Sequence, residues 1–226
     1  QTARVDALGN RSTVEFDAAL HMFAVRGVNA LGHETTATYS AVCGSPLTQT
    51  DANGQTSTTT LDPLCRPITT TSPSGAVQTN TYVSLGSPGQ QYTQAEKTAA
   101  GGATVWARNY IDGLGRIYKK LSKGPSTANV VEETEFDERG NVRKQSEPYF
   151  EGDSVYWTTT SFDAENQPVS VTGPDGRITT TEYGLLRSTV TDPGGHKKIT
   201  VTDVFGKQVE TREVIDGQEL LIARIT

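Results

Sequence analysis

Basic residues, cysteine, histidine and long apolar runs are scarce in this sequence, and each scarcity removes a class of function. Lysine and arginine together number 20 against 26 aspartates and glutamates, for a net charge of −6. The basic residues are scattered, with Lys119-Lys120 and Lys197-Lys198 set among strand-like residues. Nucleic-acid binding needs clustered Lys and Arg against phosphate, so no nucleic-acid partner is expected. No stretch approaches the roughly 18 apolar residues of a membrane helix, so no membrane segment is expected. The start, Gln1-Thr2-Ala3-Arg4-Val5, lacks the charged and apolar regions of a signal peptide and falls mid-pattern. The chain therefore reads as a segment of a larger protein whose targeting signal lies elsewhere. Apolar residues make up only 34%, too few for a deep multilayer core.

The three histidines, His21, His33 and His196, show no zinc-ligand spacing with each other or with the two cysteines. Asp51-Ala-Asn53-Gly54 has the opening of a calcium loop. An EF-hand needs Gly at the sixth place and Glu at the twelfth, where Thr56 and Asp62 stand. A turn explains it better. Glu133 and Glu135 share one face of a strand and Glu132 takes the other, with no cleft to raise the pKa of one of them. No Ser or Thr has a neighbouring His to activate it. No enzyme, no catalytic, cofactor-binding or metal-binding residue and no cofactor is expected.

What is abundant is Gly (22), Pro (10) and Thr, the composition of short strands joined by turns. Four-residue turn signals begin at Asp6, Asp17, Asn29, Ser40, Asp51, Asp62, Ser72 and Val83, at intervals of 11, 12, 11, 11, 11, 10 and 11 residues. The opening Asp, Asn or Ser accepts a backbone hydrogen bond. Gly at the fourth place supplies the positive φ that closes the hairpin with a bulge. The six or seven residues between turns make a strand of about 20 Å. Two strands and two turns form a unit of about 22 residues.

Two kinds of turn alternate. One follows an aromatic or large apolar residue: Phe16-Asp17, Tyr39-Ser40, Leu61-Asp62 and Tyr82-Val83. A Gly stands seven places before each, at Gly9, Gly32, Gly54 and Gly75. The rhythm loosens over 84–108, read as a longer hairpin or an insertion, within which Ala95–Ala100 has a short helix as its other reading. It resumes at Asp112, Asp137 and Asp163, and Gly176, Tyr183, Asp203 and Gly206 restore the early spacing. Longer intervals at 124–130 and 147–154 read as extended hairpins.

Ile111-Asp112-Gly-Leu-Gly115-Arg116, Phe136-Asp137-Glu-Arg-Gly140-Asn141 and Phe162-Asp163-Ala-Glu-Asn166-Gln167 resemble the YD repeats of the Rhs family. Pro174-Asp175-Gly176-Arg177, followed by a strand ending at Tyr183, resembles the second turn of that repeat. Leu20, Cys43 and Cys65 depart from it by standing where Gly is usual. The wording is similar to the shell-forming B component of bacterial Tc toxin complexes and to SpvB-type proteins; teneurins share the repeat. The resemblance implies an all-β ribbon of antiparallel hairpins over 1–226, part of a spiral shell that encapsulates and protects a toxin or effector. Its implied partners are the rest of the shell and that cargo, and its implied location is that of a secreted bacterial toxin component. The self-cleaving aspartates of some Rhs cores find no match; Asp192-Pro193-Gly194-Gly195 falls on the turn rhythm.

Cys43 and Cys65 hold the fourth place of equivalent turns. Strand spacing sets such turns about 9.6 Å apart, beyond the roughly 7 Å that a disulfide spans, so reduced thiols are expected unless the turns lean together. Trp106, Tyr110, Tyr118, Phe136, Tyr156, Trp157, Phe162 and Tyr183 are expected to stiffen the sheet by cross-strand pairing. The alternative to a shell wall is an adhesive module binding glycan or protein, for which Tyr149-Phe150 with Tyr156-Trp157 is the nearest aromatic cluster. An isolated ribbon would expose edge strands, so the segment is expected to pair, curl or be marginally stable.

Overall fold

A computed structural model describes residues 2–98 and 102–225, and all of its regular structure is strand. The chain divides into two compact units, Gln1–Gly115 and Arg116–Thr226. The first carries β1 (Thr2–Val5), β2 (Arg11–Phe16), β3 (Ala24–Val28), β4 (Glu34–Tyr39) and β5 (Pro46–Thr50). It continues with β6 (Thr56–Leu61), β7 (Pro67–Thr71), β8 (Val77–Val83), β9 (Tyr92–Thr98) and β10 (Thr104–Ile111). Each of these strands pairs antiparallel with its neighbours in sequence.

The second unit carries β11 (Ile117–Lys123), β12 (Asn129–Phe136), β13 (Val142–Ser146), β14 (Tyr149–Phe150), β15 (Trp157–Phe162) and β16 (Pro168–Thr172). Then follow β17 (Ile178–Gly184), β18 (Arg187–Thr191), β19 (Lys197–Thr202), β20 (Gln208–Ile215) and β21 (Gln218–Arg224). The all-β antiparallel hairpin fold read from the sequence is what forms.

Composition explains the shape of the packing. Thr-rich strands favour the pleated backbone but supply little apolar area. In β6, Thr56, Thr58 and Thr60 are exposed while Ser57, Thr59 and Leu61 are half-buried, the alternation of a sheet with one wetter face. Thr58 pairs with Thr48 on one side and Thr71 on the other, and Thr38 and Thr48 join their hydroxyls at 2.7 Å. Among the described residues only Leu121, Val131 and Ile199 of the large apolar side chains are buried, at 7%, 1% and 2% exposure. Stability therefore rests on backbone ladders and cross-strand pairs more than on a core.

Two local expectations are corrected, and the alternative reading of Ala95–Ala100 as a short helix falls. Ala95 to Thr98 belongs to β9, with Ala95 opposite Ala107 and Asn80, so no helix forms there; Ala99 and Ala100 lie outside the described residues. Flanking strands on both sides satisfy the backbone of this segment, which outweighs the helical propensity of its Ala, Glu and Lys. The turn read at Val83 starts one residue later, because Val83 still pairs with Tyr92 in the ladder. Gln91, 7% exposed, closes that longer loop: its side-chain carbonyl accepts from Gly86 N–H at 2.8 Å and its amide donates to the Asp112 carbonyl at 2.7 Å. The stretch after Ser146 is a fork and not a plain hairpin. Beside β12, β13 occupies Thr134–Phe136 and β14 returns to Val130 and Val131, while β15 pairs with β13. Ser146 lies at the fork, 6% exposed, its hydroxyl accepting from Glu133 N–H at 2.8 Å.

Candidate functional site

Consecutive hairpins put every second turn on the same side of a sheet, and the two sides differ here. On one side the hairpins close plainly: Asp6 N–H donates to Asn10 O at 3.0 Å, and Gly9 N–H to Asp6 O at 3.1 Å. Gly9, Gly32, Gly54 and Gly75 all have φ between 76° and 83°, as the turn signals require. The opening carboxylate is the organiser. Asp6 Oδ1 accepts from Leu8 and Asn10 N–H, both at 2.9 Å, and Asp51 does the same for Asn53 and Gln55.

On the other side the ladder slips by one residue just before the turn. Glu15 faces Arg26, but Phe16 faces Ala24, so Val25 is extra. The same slip leaves out Leu47 opposite Tyr39, Ile68 opposite Leu61, Arg143 opposite Phe136, Val169 opposite Phe162 and Val209 opposite Thr202. A bulge bends its strand and sharpens the local twist. The residue before the turn is large in five of these six slipped hairpins, Thr202 being the sixth, whereas Tyr82 stands in a ladder with no slip. Phe16, Tyr39, Phe136 and Phe162 all sit at a slip, with Asp17, Asp137 and Asp163 following the three phenylalanines. Gly115 (φ 81°), Gly140 (91°), Gly176 (77°) and Gly206 (80°) take the left-handed turn position, and Asn166 takes it at 65°.

The carboxyls of Asp6, Asp17, Asp62, Asp137 and Asp192 titrate low. N–H groups of Phe23 and Leu20, with lesser help from Met22 and His21, hold the Asp17 carboxyl down at about 2. Asp62 is lowered chiefly by the N–H of Arg66, Asp137 by the Asn141 amide and Asp192 by His196. These are carboxylates satisfied as acceptors, a state suited to holding a turn. Tyr149 moves the other way, pushed up first by burial and then by Glu133.

Neighbouring turns on the bulged side are laced together. Asn141 Nδ2 donates to Asn166 Oδ1 at 2.9 Å and Arg139 Nη1 to the Ala164 carbonyl at 3.2 Å, tying the Asp137 turn to the Asp163 turn. Thr202 N–H donates to Leu186 O at 2.9 Å one hairpin pair further on. In the first unit the corresponding tie is covalent: Cys43 and Cys65 form a disulfide with Cα atoms 5.4 Å apart.

That bond corrects the expectation of reduced thiols. The two cysteines do not hold equivalent places. The turn at Ser40 is one residue longer, with Gly44 N–H donating to Ser40 O at 2.8 Å and Gly44 taking φ 67°. In the other turn Cys65 itself takes the left-handed position, at φ 64°. Both turns project past the paired strands, where ladder spacing no longer sets their separation. The turn at Asp17 is lengthened likewise, and His21, not Leu20, takes the positive φ of 55°.

Among the aromatic residues expected to pair, Tyr110 faces Tyr92 across β9 and β10 with ring centres 5.3 Å apart. Phe136 and Trp106 instead lie under guanidinium groups, Arg116 at 4.2 Å and Arg108 at 4.9 Å, and Lys144 lies 5.6 Å from the Trp157 ring. Tyr156 is exposed and outside any strand, and Tyr149 and Phe150 project to opposite faces as neighbours in a strand must. The Phe23–Tyr39 stack, with centres 5.0 Å apart, has no local signal in the sequence. Among the described residues no cluster of His, Cys, Asp and Glu could hold a metal, and no helix is long and apolar enough to cross a membrane.

Residues 162–197 match the RHS repeat family. No curated protein matches the sequence. Among solved structures, the crystal structure of TcdB2-TccC3 superposes with a TM-score of 0.79 at 18% identity, over 94% of this chain and 14% of that one. TcdB2-TccC3-Cdc42 gives 0.79 at 15% identity, over 94% and 17%. A Tc holotoxin pore of Photorhabdus luminescens gives 0.75 at 15%, again over 94% and 17%. The chain thus spans less than a fifth of the length of these structures. Residues 162–197 thus carry an RHS repeat, and nearly the whole chain shares the fold of these Tc toxin structures.

Proposed function

We propose that this chain is a wall segment of a YD-repeat shell that encloses and protects an effector polypeptide until delivery. Its superposition along 94% of its length on Tc toxin structures is the observation that carries the reading. The local physics supports it. Sheets with almost no core, turns pinned by carboxylates and a laced, bulged side make a stiff thin layer with no reaction centre. The segment's role is steric and non-enzymatic, and its partners are the remaining shell and the enclosed polypeptide. The disulfide favours an oxidising, extracellular destination, as for a secreted toxin component. The adhesive reading loses ground because its aromatic cluster is split: Tyr149 and Phe150 project to opposite faces of β14, and Lys144 lies 5.6 Å from the Trp157 ring.

Limited proteolysis of the full-length protein tests this. The effector portion should survive a protease dose that digests it when expressed alone, and deletion of the β15–β16 hairpin should abolish that protection. An effector cleaved equally fast with and without an intact wall would overturn the reading.

A further inference from the structure

The covalent tie on the bulged side differs from its hydrogen-bonded counterparts in one respect: it can be undone chemically without altering the sequence. What it holds is visible around it. Gly44 leaves the turn at Ser40 so close to Phe23 that a Cβ on it would stand 3.4 Å from the ring. Phe23 in turn stacks on Tyr39, and Leu20, Val25 and Ala41 line the shallow apolar groove beside the two rings. The turn that carries Cys43 thus lies against the Phe23 ring of that stack. The turn that carries Cys65 is firmly built, with Asp62 accepting from Leu64 and Arg66 N–H at 2.9 Å and paired with the Arg66 guanidinium at 2.6 Å. The disulfide ties the longer turn to this anchor.

We propose that Cys43–Cys65 is a thiol-reducible latch that holds the 40–45 turn against the Phe23–Tyr39 stack. Both cysteines are half-buried, and the adjoining Val42 and Leu64 are exposed at 93% and 72%, so a small thiol has a path to sulfur. A reductant thiolate attacks one sulfur and the other leaves as a thiolate that takes up a proton. A second reductant thiol then resolves the mixed disulfide. Two cysteine thiols and one oxidised reductant result, a transfer of two electrons. The freed turn is then held by its own hydrogen bonds, among them Gly44 N–H to Ser40 O at 2.8 Å and Cys43 N–H to the Ser40 hydroxyl at 3.1 Å, and its contact with Phe23 loosens. The inference concerns this chain's own hairpins and holds whether or not the wall encloses a cargo.

The test compares the full chain oxidised and after dithiothreitol, by thiol titration, amide hydrogen exchange and fluorescence of an apolar dye. Two thiols should appear, exchange at Gly44 and Ser45 should speed by about tenfold or more, and dye binding should rise. The Asp137–Gly140 turn should not change. A Cys43→Ser/Cys65→Ser variant should show the fast pattern without reductant; if it fails to fold, the oxidised and reduced wild-type chain decide the matter alone. Two thiols with unchanged exchange and dye binding, or no thiols released under native conditions, would each overturn the latch.

Discussion

The hydroxyl of Tyr82 donates to the carbonyl of Pro67, 15 residues back, at 3.3 Å. Tyr183 does the same to Pro168, at the same separation and 3.2 Å, in the other unit. Both prolines open the strand that follows a bulged turn, and both face the large residue across the slip, Leu61 and Phe162. The bulge leaves a carbonyl off the ladder, and the tyrosine ending the next strand takes it up. Tyr82 and Tyr183 therefore share a physical role as side-chain donors to a strand-opening carbonyl, joined at Pro67 by Asn80 Nδ2 at 3.1 Å.

Tyr183→Phe should therefore lower stability by about 0.5–1.5 kcal/mol, the usual net worth of one hydrogen bond. Tyr82→Phe should cost less, because Asn80 Nδ2 also donates to the Pro67 carbonyl, at 3.1 Å. Chemical denaturation of each variant measures it, and a larger loss at Tyr82 than at Tyr183 would contradict this.

Reduction of the disulfide should destabilise the first unit by about 2–4 kcal/mol, as expected for a closed loop of this size. The two ends are 22 residues apart in sequence. Denaturation followed by residue-resolved exchange should show β4 to β7 weakened and β16 to β20 unaffected.

Gly176, at φ 77° with nothing within 4 Å of a Cβ position, tests the turn chemistry without a packing effect. Gly176→Ala should cost about 1–2 kcal/mol through the left-handed backbone alone. Gly176→Asn should cost less, since Asn166 already holds the corresponding position. Thermal melts of the pair measure the difference.

Acid should loosen the turns in a defined direction. Asp17, Asp62, Asp137 and Asp192 all titrate lower in the fold than in a free chain. The stabilisation they give is complete above the ordinary carboxylate value of about 4 and is lost as pH falls through their folded values. For Asp17 that extends to about 2. Stability measured from pH 5 to 2 should fall steadily, and Asp17→Asn should flatten the profile. A chain equally stable at both ends of that range would contradict the role given to these carboxylates.

The turn rhythm was legible because each turn is specified locally. Asp6 and Gly9, or Asp51 and Gly54, fix a hairpin with no help from distant residues. The extra residue of each bulge was not legible, since Val25, Leu47 and Ile68 look like ordinary strand residues until their partners are known. The β14 fork depends on Ser146 and Glu133, 13 residues apart, and no local spacing announces it. The disulfide was missed for a related reason. Strand spacing governs paired residues, whereas Cys43 and Cys65 sit on turns beyond the last pair. Resemblance at the level of short motifs carried the fold furthest, because the repeat motif is itself a folding unit.

Thr58 and Thr59 lie side by side in β6 and project to opposite faces of the sheet. A photoreactive amino acid placed at each in turn in the full-length protein asks directly whether this sheet is a wall. The account predicts that one of the two positions captures the effector polypeptide and the other does not. Capture from neither face, or equally from both, would contradict it.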